Sequence, residues 1–300
     1  MSEAVVEVRG VTRLFGRKPA LNDVSFEIPR GQVFGLVGEN GAGKTTLIRH
    51  LLGLLRAQSG MVRVFGHDPV ADPMNVLSRI GYLSEDRDLP DWMRIGDLMH
   101  YLQSFYPRWD QTLADELIET FELNRNQVIR SVSRGQRARV GLLGALAHRP
   151  ELLILDEPSS GLDPVVRRDI LGAIIRTVAE EGRTVLFSSH LLDEVERVAD
   201  HVLMLHSGKV VLSDALDTIR ANHRRITFRF PHPHEQAPTF PGVLATSGAG
   251  REWTFLCNGG AAELRAAATA VGGELADDAH PSLDEIFLAH VTRHSPTASV

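Results

Sequence analysis

The sequence predicts an α/β protein, in which a mostly parallel sheet with flanking helices is joined by an antiparallel β subdomain, an inserted helical subdomain and a small C-terminal α+β appendage. Three observations predict it. "VFGLVG" (33–38) is an unbroken apolar run, as a strand buried on both faces requires. From residue 152 onward strands alternate with helices long enough for crossovers, in "LLILD", "VVRRDILGAIIRTVAEE", "TVLFSSH", "DEVERVA" and "HVLML". Between these regions, from about 92 to 150, the apolar spacing is helical throughout.

In chain order, "AVVEVR" (4–9), "LNDVSFEI" (21–28) and "MVRVF" (61–65) are β-rich and separated by turn residues, which predicts short antiparallel strands. The apolar run at 33–38 passes through a Gly-rich turn into a helix. Leu47, Ile48, Leu51 and Leu52 form its apolar stripe and Gly53 its C-cap. "DWMRIGDLMHYLQSFY", "TLADELIETFEL" and "RGQRARVGLLGALAHR", punctuated by Pro107 and Pro150, predict a helical subdomain over about 88–150, inserted in a domain spanning 1–217. Beyond it, "RRITFRF" and "EWTFLC" alternate, while "AAELRAAATAV" and "SLDEIFLAHV" have helical spacing. These predict an accessory α+β domain over 218–292, with an irregular loop at "PHPHEQAPTFPG" and a disordered tail at 293–300. Cys257 alternates with Trp253 and Phe255 and is expected in a buried strand.

Composition excludes several classes. One cysteine in 300 residues removes a disulfide framework and a cysteine zinc site, and fits a reducing compartment. His232 and His234 read as a solvated Pro-flanked loop rather than a metal pair. The net charge of −6, with no aromatic platform beside Arg134, Arg137 and Arg139, gives no expectation of nucleic acid. "MSEAVVEVRG" has acids and no apolar signal region, and no uncharged apolar run approaches the ~18 residues of a spanning helix.

The chemistry concentrates in two stretches. "GENGAGKT", Gly38 to Thr45, matches G-x-x-x-x-G-K-[ST] between a buried strand and a helix. Gly38, Asn40, Gly41 and Gly43 let main-chain N–H groups close around phosphate oxygens at a helix N-terminus. Lys44 would reach the β/γ-phosphates, Thr45 would offer its hydroxyl to Mg²⁺, and Thr46 would add a second hydroxyl near the α-phosphate. In "LLILDEP", Asp156 emerges at a strand's carboxyl end where Mg²⁺ needs a carboxylate, and Glu157 is placed to take a proton from an attacking water. "SVSRGQRAR" (131–139) is a Ser-capped helix start, and Ser133, Gly135 and exposed N–H groups also make a phosphate grip. A nucleotide seated at Gly38–Thr45 has no need of that second grip.

Taken together over residues 4–215, these stretches resemble the ATP-binding subunit of ABC transporters, a P-loop NTPase family. "GENGAGKTT" resembles its Walker A loop, "LLILDE" its Walker B strand, "VSRGQ" its signature, "SSGLD" (159–163) its D-loop, and His190 in "LFSSHLLDE" its switch histidine. The resemblance implies ATP and Mg²⁺ as ligands. It also implies two ATPase domains packed head to tail, in which Ser133, Gly135 and Gln136 serve the partner's ATP and Asp163 orients the interface. His190 would sense the γ-phosphate and hold the attacking water. Phe15 would stack on adenine unless it belongs to the core.

Three positions depart from the family pattern, the first being Val132, where the signature has Leu. Arg134 stands where the signature has Gly, and it either points outward, meets phosphate or hinders closure. Glu85 stands where the Q-loop has Gln, and it either ligates Mg²⁺ and positions water or is a solvated acid. One nucleotide domain per chain implies a homodimer or a heterodimer with a related subunit. Only 111 residues separate Lys44 from Asp156, with no long coiled coil or zinc module between them. That leaves a transporter subunit at the cytoplasmic face of the cell membrane, working with separate integral permease subunits. The appendage and "FYPRWDQTLADELIETFEL" resemble the ABC-2 exporter branch, with Asp91, Trp92 and Met93 as either permease-docking residues or subdomain core. The alternative is a soluble ABC ATPase that regulates a macromolecular process without transport.

Overall fold

The computed structural model describes residues 4–179 and 182–294. They divide into two compact units, 1–210 and 211–300.

In the first unit, β1 (Ala4–Phe15) and β2 (Lys18–Pro29) form a long hairpin, followed by β3 (Val33–Val37), α1 (Lys44–Leu51), β4 (Ser59–Val64), α2 (Pro73–Leu77) and β5 (Ile80–Leu83). The helical stretch holds α3 (Ile95–Gln103), α4 (Gln111–Thr120) and α5 (Arg134–Leu146). Next come β6 (Leu152–Leu155), α6 (Pro164–Ala179), β7 (Thr184–Ser189), α7 (Leu192–Val198), β8 (His201–His206) and β9 (Lys209–Ala215), the strand on which the units divide. One sheet runs β2-β1-β4, antiparallel as expected. The other runs β5-β6-β7-β3-β8-β9, with β3 parallel to both β7 and β8. Every residue of β3 and β6 is buried, as their unbroken apolar runs require.

The hairpin strands run well beyond the expected 4–9 and 21–28, because irregularities in the β1 ladder absorb the polar residues that interrupt the alternation. β5 was not anticipated from its four residues. It is admitted by Gly81, where any Cβ would collide with the carbonyl of Ala145, so α5 lies directly against the strand. The helix expected from "DWMRIG" begins only at Ile95, since Arg94 is extended and leads into α3 as its N-cap. Asp110 caps α4 by accepting from the Leu113 N–H at 3.0 Å. Leu47, Ile48, Leu51 and Leu52 are buried in one core with Val6, Val8, Leu21 and Ile28, which fixes α1 beneath the β1–β2 hairpin.

Glu151, just ahead of β6, gathers three segments. Arg79 donates to both its oxygens at 2.8 and 2.9 Å, Arg30 at 3.1 Å and Arg108 at 3.3 Å. The Arg79 hydrogen bonds, then those of Arg30, hold its carboxyl down to about 2. A depressed folded pKa stabilises above the unfolded value of about 4.3 and loses that contribution as pH falls through the folded one. Glu151→Gln is therefore expected to lower the denaturant midpoint near neutrality. The gap to wild type should narrow steadily between about pH 4.5 and pH 2. A gap independent of pH would show that the carboxylate charge is not what joins these segments.

In the second unit, α8 (Leu216–Asn222) leads to β10 (His223–His234), β11 (Val243–Asn258), α9 (Ala261–Ala270), β12 (Glu274–Ala279) and α10 (Leu283–His294), with the sheet ordered β11-β10-β12. Its core packs Ile226, Phe228, Phe230, Phe255 and Cys257 with Leu264 of α9, so Cys257 is a buried strand residue as expected. Pro231 to His234, expected as loop, instead extend β10. The prolines are tolerated because the ladder with β12 ends at Arg229, where no N–H is needed. The tail expected over 293–300 lies outside the described residues from 295 onward.

Candidate functional site

The turn from β3 into α1 is shaped by what glycine omits. Gly43 has φ 114°, and a Cβ there would lie 2.5 Å from the Ala20 carbonyl oxygen. The backbone thus presses against the start of β2. A cleft of about 270 Å³ opens over it, lined by Asn40, Gly41, Gly43, Lys44, Thr45, Thr46, Glu85 and Glu157 among others. Lys44 is only 5% exposed. Its ammonium donates to the Gly38 carbonyl at 2.6 Å and lies 3.0 Å from Glu157 Oε1. The second contact is ionic, since Oε1 has no aligned donor.

β6 delivers the two carboxylates. Asp156 is fully buried. Burial pushes its carboxyl up, while hydrogen bonds from the Ser188 and Thr45 hydroxyls pull it back. Glu157 follows with φ 46°, a left-handed conformation that turns its side chain away from that of Asp156. Its Oε2 accepts from His190, Nδ1 to oxygen being 2.7 Å. A file of side chains results: the Lys44 ammonium, the two Glu157 oxygens, the His190 ring. Ser188, at the end of β7, locks it by donating to Asp156 Oδ1 at 2.6 Å and accepting from the Glu157 N–H at 2.9 Å.

Mg²⁺ fits these donors. Thr45 and Asp156 offer a hydroxyl and a carboxylate already in contact, both hard oxygen ligands, and the buried carboxylate needs a cation to offset its desolvation. Glu85 is exposed and lines both this cleft and a second of about 580 Å³, which also takes in Thr45 and Asp156. Glu85 thus stands in the wall common to the two clefts, with its side chain open to solvent.

The remaining candidates lie elsewhere. Phe15 is 50% exposed under the Arg13 guanidinium, which corrects the core alternative, and it does not line the cleft. Trp92 is 74% exposed, so it is not subdomain core either, although Met93 is half-buried. Ser133 caps α5 by accepting from the Gln136 N–H, and the Gln136 side chain accepts from the Ser133 N–H at 3.0 Å. A Cβ on Gly135 would lie 2.8 Å from Val166 Cγ2, so the packing of α6 demands that glycine. Asp163 caps α6 through Val165 and Val166 N–H groups, which hold its carboxyl low. Arg134 points outward over Gly161, with no ion pair among the described residues.

Sequence reasoning missed Ser188, Arg87 and Glu194. Glu194 is buried, accepts from Ser159 at 2.6 Å and Ser189 at 3.1 Å, and pairs with Arg167 at 3.1 Å. It fastens the 159–163 segment to the end of β7. Two serines before a strand-end histidine were the only signal for this network.

A phosphate-cradling loop between a buried strand and a helix, with a metal-type carboxylate and a second acid at the end of a parallel strand one place further along the sheet, defines a P-loop NTPase. Residues 21–160 match the family model described as ABC transporter. Daunorubicin resistance ATP-binding protein DrrA3 of Streptomyces coeruleorubidus is 35% identical over 227 residues, 74% of this chain and 71% of that protein. ABC transporter ATP-binding protein YtrB of Bacillus subtilis is 28% identical over 285 residues, 95% of this chain and 97% of that one. Among solved structures, an ATP-binding subunit of an ABC transporter superposes with a TM-score of 0.67 at 28% identity, covering 72% of this chain and 92% of that one. The chain belongs to the ATP-binding subunits of ABC transporters and is an ATPase of that class.

Proposed function

We propose that this chain powers solute export through a separate membrane permease, and that ATP drives two such ATPase domains together head to tail. The observation that carries the reading is the file Lys44–Glu157–His190 at the mouth of the phosphate loop. In it Lys44 binds the β/γ-phosphates and, in doing so, leaves Glu157 Oε1. That freed oxygen takes the proton of the attacking water. His190 keeps Oε2 engaged and holds the carboxylate's aim, and its ring, partly open to solvent, faces the γ-phosphate and the water. Thr45 and Asp156, with Glu85 alongside, would hold Mg²⁺, which would supply charge stabilisation at the phosphoryl oxygens. Phe15 stacks on adenine at the rim.

Dimerisation is supported by the position of the signature. The phosphate cleft is lined by none of Ser133, Gly135, Gln136 or Asp163, although Ser133 is exposed at the start of α5. A second chain's phosphates are the ligand that would use them. Export is supported by the drug-resistance name of one relative and by the partner the chain needs. Among the described residues no helix is long and apolar enough to cross a membrane. The exposed Trp92 and its neighbours Asp91 and Met93 are the permease-docking residues, and the chain works at the cytoplasmic face of the membrane. Residues 218–292 form an accessory domain that adds a second dimer contact.

Size exclusion of Glu157→Gln with and without Mg-ATP tests this. Monomer should shift to dimer with nucleotide, and Ser133→Arg should abolish the shift while leaving ATP bound. Binding without any shift, in the presence of the permease as well, would sink the head-to-tail reading.

A further inference from the structure

Arg87 takes no part in the steps above, yet it is one of the least exposed charges of the chain. Only 5% of it reaches solvent, and no carboxylate pairs with it among the described residues. Its Nη2 donates to two main-chain carbonyls, Pro158 at 3.1 Å and Ser160 at 2.9 Å, and its Nε is buried without a partner. A guanidinium removed from water with carbonyls rather than a carboxylate as its hydrogen-bond partners is costly, and such violations of local rules concentrate where function demands them.

The two carbonyls belong to the turn that presents Glu157. Glu157 sits in a backbone region that persists only where its surroundings enforce it. On its N-terminal side the enforcing group is Ser188, which accepts the Glu157 N–H. On the C-terminal side the turn closes through the Ser160 N–H to the Glu157 carbonyl at 3.1 Å, and Arg87 grips the carbonyls just past Glu157. The backbone of Arg87 is itself pinned. Its carbonyl accepts from Arg137 of α5 at 3.2 Å, and Arg137 Nη1 also donates to Asp91 at 2.7 Å.

We propose that Arg87 is a positioning residue for Glu157, so that the segment 84–91 sets the aim of the base. This rests on Glu157 being the base. The same segment walls the 580 Å³ cleft, with Glu85, Asp86 and Asp88 beside Arg87. Moving that wall pulls directly on the turn carrying the catalytic carboxylate.

The test is a double-mutant cycle on the full chain with Mg-ATP, measuring kcat, KM and nucleotide affinity. Arg87→Met is expected to lower kcat about 10- to 100-fold, with KM and affinity within about twofold of wild type. In a Glu157→Gln background it should lower the residual rate no further, because there is no longer a base to aim. Arg87→Lys, with one ammonium for two carbonyls, should recover part of kcat. An equal loss in both backgrounds, an effect confined to KM, or an unchanged kcat each overturns the proposal. Should Arg87→Met fail to give a cooperative melt, the cycle is run with Arg87→Lys against the same criteria. If Glu157→Gln alone leaves hydrolysis intact, the assignment of the base is what has failed.

Discussion

Glu157→Gln is expected to lower kcat for ATP hydrolysis by about 10²- to 10⁴-fold while leaving nucleotide affinity close to wild type. The glutamine has the same shape and keeps an oxygen for the His190 N–H, now 2.7 Å from the carboxylate. The left-handed turn survives as well, since Ser188 holds it through the main-chain N–H and not through the side chain. What disappears is the capacity to take a proton. Affinity does not suffer, because the Lys44 ammonium is then released from its 3.0 Å contact and is free for phosphate. Phosphate release in steady state and titration with a fluorescent ATP analogue measure the two quantities separately. A kcat within tenfold of wild type would mean that the proton leaves by another route. A parallel loss of affinity would mean that the carboxylate shapes the phosphate site itself.

How much of this site the sequence discloses depends on how each residue reaches it. Gly38 to Thr45 are contiguous, so one local turn brings them together and the spacing alone reveals them. Asp156 and Glu157 are legible because "LLIL" announces a buried strand whose end must face the loop across β7. Ser188 is different. Its hydroxyl meets Asp156 only because β6 and β7 pair with Leu155 beside Phe187, a register that no local pattern encodes. Arg87 is harder still, since its partners are carbonyls 71 and 73 residues away and carry no side-chain signature. Asp163 and Gly135 illustrate the converse. Each matches a family motif, and each also satisfies a plain structural need as a helix cap or a packing contact. The same holds in the fold. Continuous apolar runs reveal β3 and β6, whereas β5 has only four residues and depends on α5 accepting Gly81 against it.

Lys44→Ala is expected to abolish ATP binding and, in the absence of any nucleotide, to destabilise the protein by about 3 kcal/mol. The side chains of Lys44 and Glu157 are 6% and 5% exposed, so deleting the ammonium strands a carboxylate that water cannot reach. His190 remains as its hydrogen-bond partner but does not replace a full counter-charge. For a unit of this size the loss corresponds to a fall of several degrees in Tm. The cause can be isolated, because Lys44→Ala/Glu157→Gln removes the stranded charge as well and should melt above the single variant. Differential scanning calorimetry of the three proteins decides the matter. If the single and double variants melt together, the Lys44–Glu157 pair is held by the phosphate loop's own packing, and Lys44 serves the nucleotide alone.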